Sequence, residues 1–180
     1  MRRKYPAHFG RPVPAWGPAD APLLVVGLAP GLHGAHRTGI PFFGDASGEL
    51  LMSTLESRGY ATPRQPNGQP VRISNAVKCL PPGNLPQPEE VRNCARFLLP
   101  ELKQLAAPEG HILTLGGVAH RAVLAALGLV QARLPFGHGH RYELADGRRI
   151  TCSYHPSRLN VNTRRLSPAA FSKVVASLQP

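Results

Sequence analysis

A continuous apolar run near the start of the chain, residues 22–27, is the feature that most constrains the fold. Its letters, PLLVVG, show no alternation between apolar and polar residues, which is typical of a strand buried on both faces. Such strands occur mainly in parallel sheets, and those sheets need helices on both faces. The run therefore predicts a sheet at the centre of the protein.

The rest of the chain alternates between strand-like and helix-like patterns. Further strands are predicted at residues 71–77 and 111–115, and a hairpin at residues 141–144 and 148–153 that turns at Asp146 and Gly147. Helices are predicted at residues 47–58, 88–105 with a break near Pro100, 118–127 and 168–178, with Ser47 and Ser167 as caps. This order predicts an α/β fold, a three-layer α/β/α sandwich with a mainly parallel central sheet of about four strands.

The length and composition favour a single domain. A chain of 180 residues with 42% hydrophobic residues can bury one sizeable core. Residues 1–20 are rich in Pro, Gly and Arg without periodicity, so we expect an extended arm there and one domain at residues 21–180. No segment approaches the roughly 20 apolar residues of a membrane helix, and no signal peptide is evident, so we expect a cytoplasmic protein without membrane contact.

The charge balance favours a polyanionic partner. Lys and Arg number 21 against 10 Asp and Glu, which gives a formal net charge of +11. Basic side chains on one face would neutralise backbone phosphates, and nucleic acid is the commonest polyanion that such a protein meets. A basic protein without such a partner is the alternative.

Two loops carry the residues most suited to chemistry. Residues 27–45 form a glycine-rich loop that leaves the first strand, where backbone amides can approach a ligand closely. Residues 153–162 follow the last strand and include His155 and Leu159, the latter projecting from a loop stiffened by Pro156. Ligands of parallel sheets bind beyond the carboxyl ends of the strands, where both loops lie. Simpler interpretations are a structural turn for the first loop and a structural role for His155.

Four ordered motifs give the chain a resemblance to a known family. They are GRPVPAWG at residues 10–17, GLAPGLHGAHRTGIPFFGD at 27–45, ISNAVKCLPPGN at 73–84 and HPSRLNVNTRRL at 155–166. Together they resemble family five of the uracil-DNA glycosylase superfamily, the B-type enzymes that contain an iron–sulfur cluster. The resemblance implies a DNA repair hydrolase that removes uracil, and other deaminated bases such as hypoxanthine, to leave an abasic site.

The resemblance also implies roles for residues in the base pocket. Asp45 would stabilise the sugar cation and orient water, while His155 would face the base oxygen. Phe42 would stack on the base, and Asn75 would read its Watson–Crick edge. The other base-binding positions that it implies are Gly27, Ala29, Pro30 and Gly31. The residues alone leave simpler roles open, namely a helix cap for Asp45, a core position for Phe42 and a turn for Asn75.

The family's second motif implies a surface that contacts DNA. Leu159 would fill the space that the flipped nucleotide vacates, although a half-buried loop leucine is the alternative. The DNA-binding positions that the resemblance implies are Arg37, Ser157, Arg158, Leu159, Asn160 and Arg164. The chain departs from the family at His36, where Asn is usual, and at Leu159, where Gln is common. No lysine stands in the two terminal motifs to form a Schiff base, so the resemblance implies a monofunctional enzyme.

The cysteines bear on the expected cofactor. Family members hold a four-iron four-sulfur cluster through four cysteines, of which two match Cys79 and Cys94 and two form an N-terminal pair. That pair is absent from this sequence, and Cys152 is not expected to replace it, because its place next to the second motif would put it near the active site. Either the sequence starts after the pair or this member has lost the cluster, because such clusters need four protein ligands.

Two other classes of protein stay open. A nucleotide-binding or phosphoester-cleaving enzyme would depend on a divalent metal, for which paired carboxylates are wanting. A non-catalytic or weakly active relative would bind DNA in a salt-sensitive way without releasing bases. The glycosylase interpretation needs no divalent metal, and we expect a monomer whose partner is DNA.

Overall fold

Five strands form the central sheet of the computed structural model, which describes residues 5–105 and 109–178. They are β1 (Leu23–Gly27), β2 (Val71–Asn75), β3 (His111–Leu115), β4 (Arg141–Glu143) and β5 (Arg149–Ser153). Their order across the sheet is β2-β1-β3-β5-β4, and every neighbouring pair is parallel except β4 with β5. The predicted parallel sheet and hairpin are confirmed. The sheet has five strands where about four were expected, because both hairpin strands join it.

Six α-helices surround or cap the sheet in the described residues. They are α1 (Ala35–Thr38), α2 (Ala46–Glu56), α3 (Pro88–Gln104), α4 (Gly117–Ala126), α5 (Arg158–Asn162) and α6 (Pro168–Ala176). The four long helices start and end within two residues of their predicted bounds, and Ser167 caps α6 as expected. The two short helices, α1 and α5, lie in segments predicted as loops. Leu159 therefore projects from a helix and not from a loop.

Two local predictions within the helices were wrong. Asp45, not Ser47, caps α2, since its Oδ1 accepts a hydrogen bond from the Gly48 amide at 2.9 Å. The helix α3 also continues through Pro100 without a break. Pro100 lies on the exposed side of this helix, so the carbonyl that loses its N–H partner can bond to water.

The sheet separates two apolar cores, which makes the three-layer α/β/α sandwich. Leu23 and Val25 of β1 face a cluster that includes α2 and α6, whereas Leu24 and Val26 face a cluster that includes α3 and α4. All four side chains are buried, which explains the unbroken apolar run in the sequence. No helix in the described parts of the chain combines the length and the apolar character needed to cross a bilayer.

The described part of the N-terminal arm lies against the edge of the sheet. Trp16 exchanges two backbone hydrogen bonds with Ile73 of β2, at 2.9 and 2.8 Å, and the Val13 amide donates to the Lys78 carbonyl at 2.7 Å. Earlier in the arm, the Phe9 amide donates to the Arg37 carbonyl at 3.1 Å. The arm therefore connects α1 with β2. Residues 1–4 of the predicted arm lie outside the described residues.

A buried ion pair fixes the end of β2 to α3. The Lys78 ammonium donates to both carboxylate oxygens of Glu101, at 2.8 and 2.9 Å, and the Ser74 hydroxyl donates to Glu101 Oε2 at 2.7 Å. Lys78 is 4% exposed and Glu101 is 8% exposed. Burial lowers the pKa of Lys78, and the carboxylate of Glu101 opposes that effect. Because Ser74 precedes Asn75, the ion pair holds the strand end that carries this predicted base-binding residue.

Candidate active site

A cavity of about 450 Å³ opens beyond the carboxyl ends of β1 and β2. It lies where the chain turns to opposite sides of β1, which is the usual ligand position in open α/β sheets. Ten of the residues implied by the family resemblance line it: Ala29, Pro30, Gly31, Phe42, Asp45, Asn75, His155, Ser157, Leu159 and Asn160. Residues far apart in the sequence thus share one pocket.

Gly27 leaves the space in which two of these side chains pack. A Cβ atom at this position would overlap the Phe42 ring and lie 2.5 Å from the Asn75 Oδ1. Gly27 itself does not line the cavity, so it shapes the pocket through the side chains that it admits. The base-binding role predicted for Gly27 would therefore be indirect, exerted through Phe42 and Asn75.

Asn75 presents an unused amide to the pocket. It is 4% exposed, and its Oδ1 has no hydrogen-bond partner among the described residues. No hydrogen bond from the rest of the described chain engages its side-chain nitrogen either. A buried polar group without a partner costs free energy, so such groups in folded proteins call for an explanation. A ligand with a complementary donor and acceptor would supply one.

Phe42 and His155 form a stacked pair in the pocket. Their ring centroids lie 5.6 Å apart, and the ring planes are inclined by 28°. Phe42 is 6% exposed and belongs to the apolar core beneath, so its suggested core role and its place in the pocket coexist. Its backbone has a φ of 54°, in the left-handed region that bulky residues rarely adopt. Strained backbone of this kind occurs more often at functional sites, so the conformation of Phe42 supports its role in the pocket.

Asp45 both caps α2 and lines the pocket. While Oδ1 accepts the Gly48 amide, Oδ2 lies so close to Gly31 and Gly34 that a Cβ on either would crowd it. Glycines at both positions therefore let the loop wrap around the carboxylate. The cap suggested from the sequence is present, and it leaves the second oxygen available to a ligand.

His155 is a neutral imidazole at pH 7. Burial lowers its pKa to about 4, and the nearby Asp45 carboxylate offsets this only in part. Asn160 holds the segment by donating its side-chain amide to the His155 carbonyl at 2.8 Å. A neutral imidazole retains one N–H donor and one acceptor, so His155 can donate to an oxygen that gains negative charge.

Helix α5 carries the most exposed apolar residue of the pocket. Ser157 caps it by accepting the Asn160 amide at 3.3 Å, and Leu159 on its first turn is 71% exposed. The half-buried loop leucine considered from the sequence does not match this exposure. Leu159 therefore stands at the rim of the pocket.

The three arginines that the resemblance implied for DNA contact do not line the pocket. Arg37, Arg158 and Arg164 are all exposed, and none of them forms an ion pair within the described residues. Arg37 Nε donates to the His33 carbonyl at 2.8 Å, and Arg158 begins α5 beside Leu159. Their positive charges are free to meet phosphates around the rim.

Sequence reasoning missed four residues of the pocket, namely Leu28, Ala35, Ser47 and Asn84. Asn84 belongs to the middle motif and has a left-handed φ of 59°, after two prolines and a glycine. That turn composition was the signal available in the sequence.

His36, where the chain departs from the family, is buried against the His8 ring, 5.5 Å away, and does not line the pocket.

The cysteines provide only part of a cluster site. Cys79 and Cys94 are close enough that Cys94 helps to raise the pKa of Cys79, after burial as the main cause. Cys152 is buried in β5 and contacts His120. The described residues contain no group of three or more His, Cys, Asp or Glu able to hold a metal. The residues present therefore do not fit a four-ligand iron–sulfur cluster.

Comparisons with known proteins find a family and relatives whose sequences match most of the chain. The sequence model of the uracil DNA glycosylase superfamily matches residues 14–179. A type-5 uracil-DNA glycosylase of Thermus thermophilus is 43% identical, over 93% of this chain and 79% of the relative. One from Pyrobaculum aerophilum is 44% identical, over 94% and 76%.

A solved structure shows the same fold at low sequence identity. The crystal structure of wild-type SMUG2 from Pedobacter heparinus aligns with a TM-score of 0.53 and 14% identity, over 87% of this chain and 74% of that one. At this identity the likeness concerns the fold alone. The family model and the relatives above carry the assignment, and the chain belongs to the uracil DNA glycosylase superfamily.

Proposed function

We propose that the protein is a monofunctional uracil-DNA glycosylase that hydrolyses the bond between uracil and deoxyribose in DNA. The unpartnered amide of Asn75, buried beside the stacked pair of Phe42 and His155, is the observation that carries this proposal. Family membership and the relatives named as type-5 uracil-DNA glycosylases support it. The basic charge of the chain suits a DNA substrate.

Base recognition in this proposal uses the free amide of Asn75. Uracil offers an N3–H donor beside the O4 acceptor, and one amide can accept the first and donate to the second. Cytosine has the reverse pattern at these two positions, so an amide held in the orientation that suits uracil would stay unpaired with cytosine. Phe42 would stack on the base that enters the pocket. We extend the proposal to hypoxanthine, which also pairs a ring N–H donor with a carbonyl acceptor.

Bond cleavage in this proposal needs two opposite stabilisers. The C1′–N1 bond breaks, and its electron pair leaves with the base. A water oxygen bonds to C1′, and the proton that this water loses ends on the departed uracil anion. Neutral His155 donates a hydrogen bond to the uracil O2 as it gains charge. Asp45 Oδ2 faces the sugar, stabilises its positive charge and orients the water, while Oδ1 stays on the Gly48 amide. No lysine is assigned a covalent role, so the product is an abasic site.

Contact with DNA in this proposal is made by α5 and the arginines around the pocket. Leu159 enters the space left by the flipped nucleotide, which offsets part of the unstacking cost of a few kcal/mol. Arg37, Arg158 and Arg164 bind phosphates, with Ser157 and Asn160 holding α5 in place.

The remaining expectations concern cofactor and assembly. Every step above uses side chains and water, so we propose that no divalent metal takes part. Cys79 and Cys94 provide two of the four thiolates of the family's cluster, and no step is assigned to that cluster. We also propose that the protein is a cytoplasmic monomer. Light scattering of the purified protein measures its mass and so tests whether it is a monomer.

The test is base release from matched duplexes that contain uracil, hypoxanthine or only normal bases, with EDTA present. The wild-type protein should release uracil, and Asn75→Ala should lower the single-turnover rate on the order of 100-fold. Asn93→Ala is the matched control, because Asn93 lies exposed on α3 away from the pocket. Salt-sensitive DNA binding without any release would instead identify a non-catalytic relative.

A further inference from the structure

A segment with no assigned role runs beside β5, and we call residues 134–140 the strap. Two backbone hydrogen bonds join it to Cys152. The Gly139 amide donates to the Cys152 carbonyl, and the Cys152 amide donates to the His140 carbonyl, both at 2.8 Å. The strap therefore extends the pairing of β5 close to the point where the chain leaves this strand for the pocket.

The other end of the strap is anchored by a buried histidine. His120 Nε2 donates to the Leu134 carbonyl at 2.7 Å, so its Nδ1 carries a lone pair. That nitrogen lies 3.3 Å from the Cys152 Sγ, whose thiol can donate to it. His120 is fully buried in α4. Both ends of the strap are thus held by groups with satisfied hydrogen bonds.

His138, in the middle of the strap, packs on the residue that precedes His155. Its ring stacks on Tyr154 with centroids 5.1 Å apart and planes inclined by 9°. The Tyr154 amide donates a hydrogen bond to His138 Nδ1 at 3.2 Å, and the Ser153 Oγ lies 3.4 Å from the same nitrogen. The ring therefore binds both the side chain and the backbone of Tyr154.

Tyr154 also contacts the segment that follows α5. The Arg165 guanidinium carbon lies 4.6 Å from the Tyr154 ring centroid, a cation–π contact. One side chain thus connects the strap, the end of β5 and the chain beyond the helix that carries Leu159. Both His155 and Leu159 belong to the segment between these contacts.

We propose that His138 is a positioning residue for base release, acting through Tyr154 on His155. The inference rests on the proposed function, because it concerns how that reaction's hydrogen-bond donor is held. His138 accepts the Tyr154 amide and so determines the direction in which the chain leaves β5. Without this acceptor the amide would lose its partner, and the next residue would lose its fixed place in the pocket.

The strength of the effect follows from the geometry that hydrogen-bond donors need in catalysis. A displacement of about 1 Å can lower a rate up to 100-fold, and a lost supporting bond should cost about tenfold. DNA binding should change little, because His138 does not line the pocket. The loss should therefore appear in the chemical step.

Two variants separate the contribution of the hydrogen-bond acceptor of His138 from that of its aromatic ring. His138→Phe keeps an aromatic ring on Tyr154 but has no acceptor. His138→Asn loses the ring but places its Oδ1 at the same bonded position as Nδ1. Single-turnover uracil release is measured well below the melting temperature of each variant, with DNA affinity measured alongside. H138F should release uracil about tenfold more slowly with unchanged affinity, and H138N should recover to within about threefold of the wild type.

The proposal is overturned if H138F keeps the wild-type rate, or if H138N is as slow as H138F. If H138F does not fold, His138→Ala replaces it as the variant without an acceptor. Hydrogen exchange of the Tyr154 amide, expected to quicken in H138F and not in H138N, reports the bond without relying on activity. A wild-type protein that releases no uracil would overturn the proposed function itself, which separates the two failures.

Discussion

Gly27 and Asn75 lie opposite each other at the ends of β1 and β2, and a Cβ on Gly27 would come 2.5 Å from the Asn75 Oδ1. The same Cβ would overlap the Phe42 ring. The last residue of the first strand therefore sets the position of both side chains proposed to hold the base. Only glycine permits this approach of strand, ring and amide.

We expect Gly27→Ala to lower uracil release on the order of 100-fold, because the ring and the amide must both move. Single-turnover kinetics on a uracil duplex measure the effect. Gly117→Ala is the matched control, since its Cβ would meet the movable end of Arg121 at 3.3 Å and the Phe136 ring at 3.6 Å, an ordinary van der Waals distance. A G27A protein as active as this control would show that the pocket tolerates the displacement.

Asn75 and Ser74, neighbours on β2, should differ in how much stability is lost when their polar groups are removed. Asn75→Ala removes a buried acceptor that has no partner, so its free energy of unfolding should stay within about 0.5 kcal/mol of the wild type. Ser74→Ala leaves the Glu101 carboxylate short of a donor and should cost about 1–3 kcal/mol. Urea unfolding distinguishes them. A large loss of stability in N75A would indicate a structural role for Asn75.

The two oxygens of Asp45 allow its roles in capping and catalysis to be separated. Asn caps helices as well as Asp, so Asp45→Asn should keep the stability of α2 while release falls on the order of 100-fold. Asp45→Ala should lose the same activity and also about 1 kcal/mol of stability. Paired measurements of rate and urea unfolding test both. A D45N protein that releases uracil at the wild-type rate would show that Asp45 acts only as the cap of α2.

The long elements were predictable because each buries a regular set of side chains. The apolar run at β1 indicated burial on both faces, and Leu23 and Leu24 do face opposite cores. The short helices α1 and α5 have four and five residues, too few for a periodic pattern. Asp45 and Ser47 are equally suitable helix caps by residue type, so the sequence alone could not distinguish them. The path of the loop in the folded protein places Asp45 at the cap position of α2.

The pocket was predictable from the family motifs only in part. Phe42 and Asn75 share the pocket as expected, but the role of Gly27 depends on an atom that glycine lacks and was visible only in three dimensions. The strap had no signal at all, because its contacts with Tyr154 join residues 16 positions apart without any periodicity. Contacts of this kind depend on where the hairpin lies beside β3.

The buried ion pair behind Asn75 should be costly to break from one side. Lys78→Met leaves the Glu101 carboxylate buried without its cation and should lower the free energy of unfolding by about 3–5 kcal/mol. Adding Glu101→Leu removes the stranded charge and should restore most of that loss. Urea unfolding of both variants is the measurement. A double variant no more stable than K78M would show that the pair is needed as a unit.

The stability of the protein should fall as the pH drops from about 6.5 to about 4. Burial lowers the pKa of His111 and of His155 to about 4, whereas unfolded histidines titrate near 6.5. Between these values the unfolded chain binds more protons than the folded one, so acid favours unfolding. For His111, which is 4% exposed, the slope approaches about 1.4 kcal/mol per pH unit.

Urea unfolding between pH 4 and pH 8 measures this dependence. His111→Gln and His155→Gln should each flatten the curve below pH 6.5, because each removes one group that takes up a proton only after unfolding. His33→Gln is the control, since His33 is exposed. The stabilising contribution is complete above pH 6.5 and decreases toward pH 4. A curve that neither variant flattens would show that these imidazoles take up protons as readily in the folded protein as in the unfolded chain. A curve that rises with acid would show that their pKa values are raised by folding, and His155 would then not be the neutral donor proposed for base release.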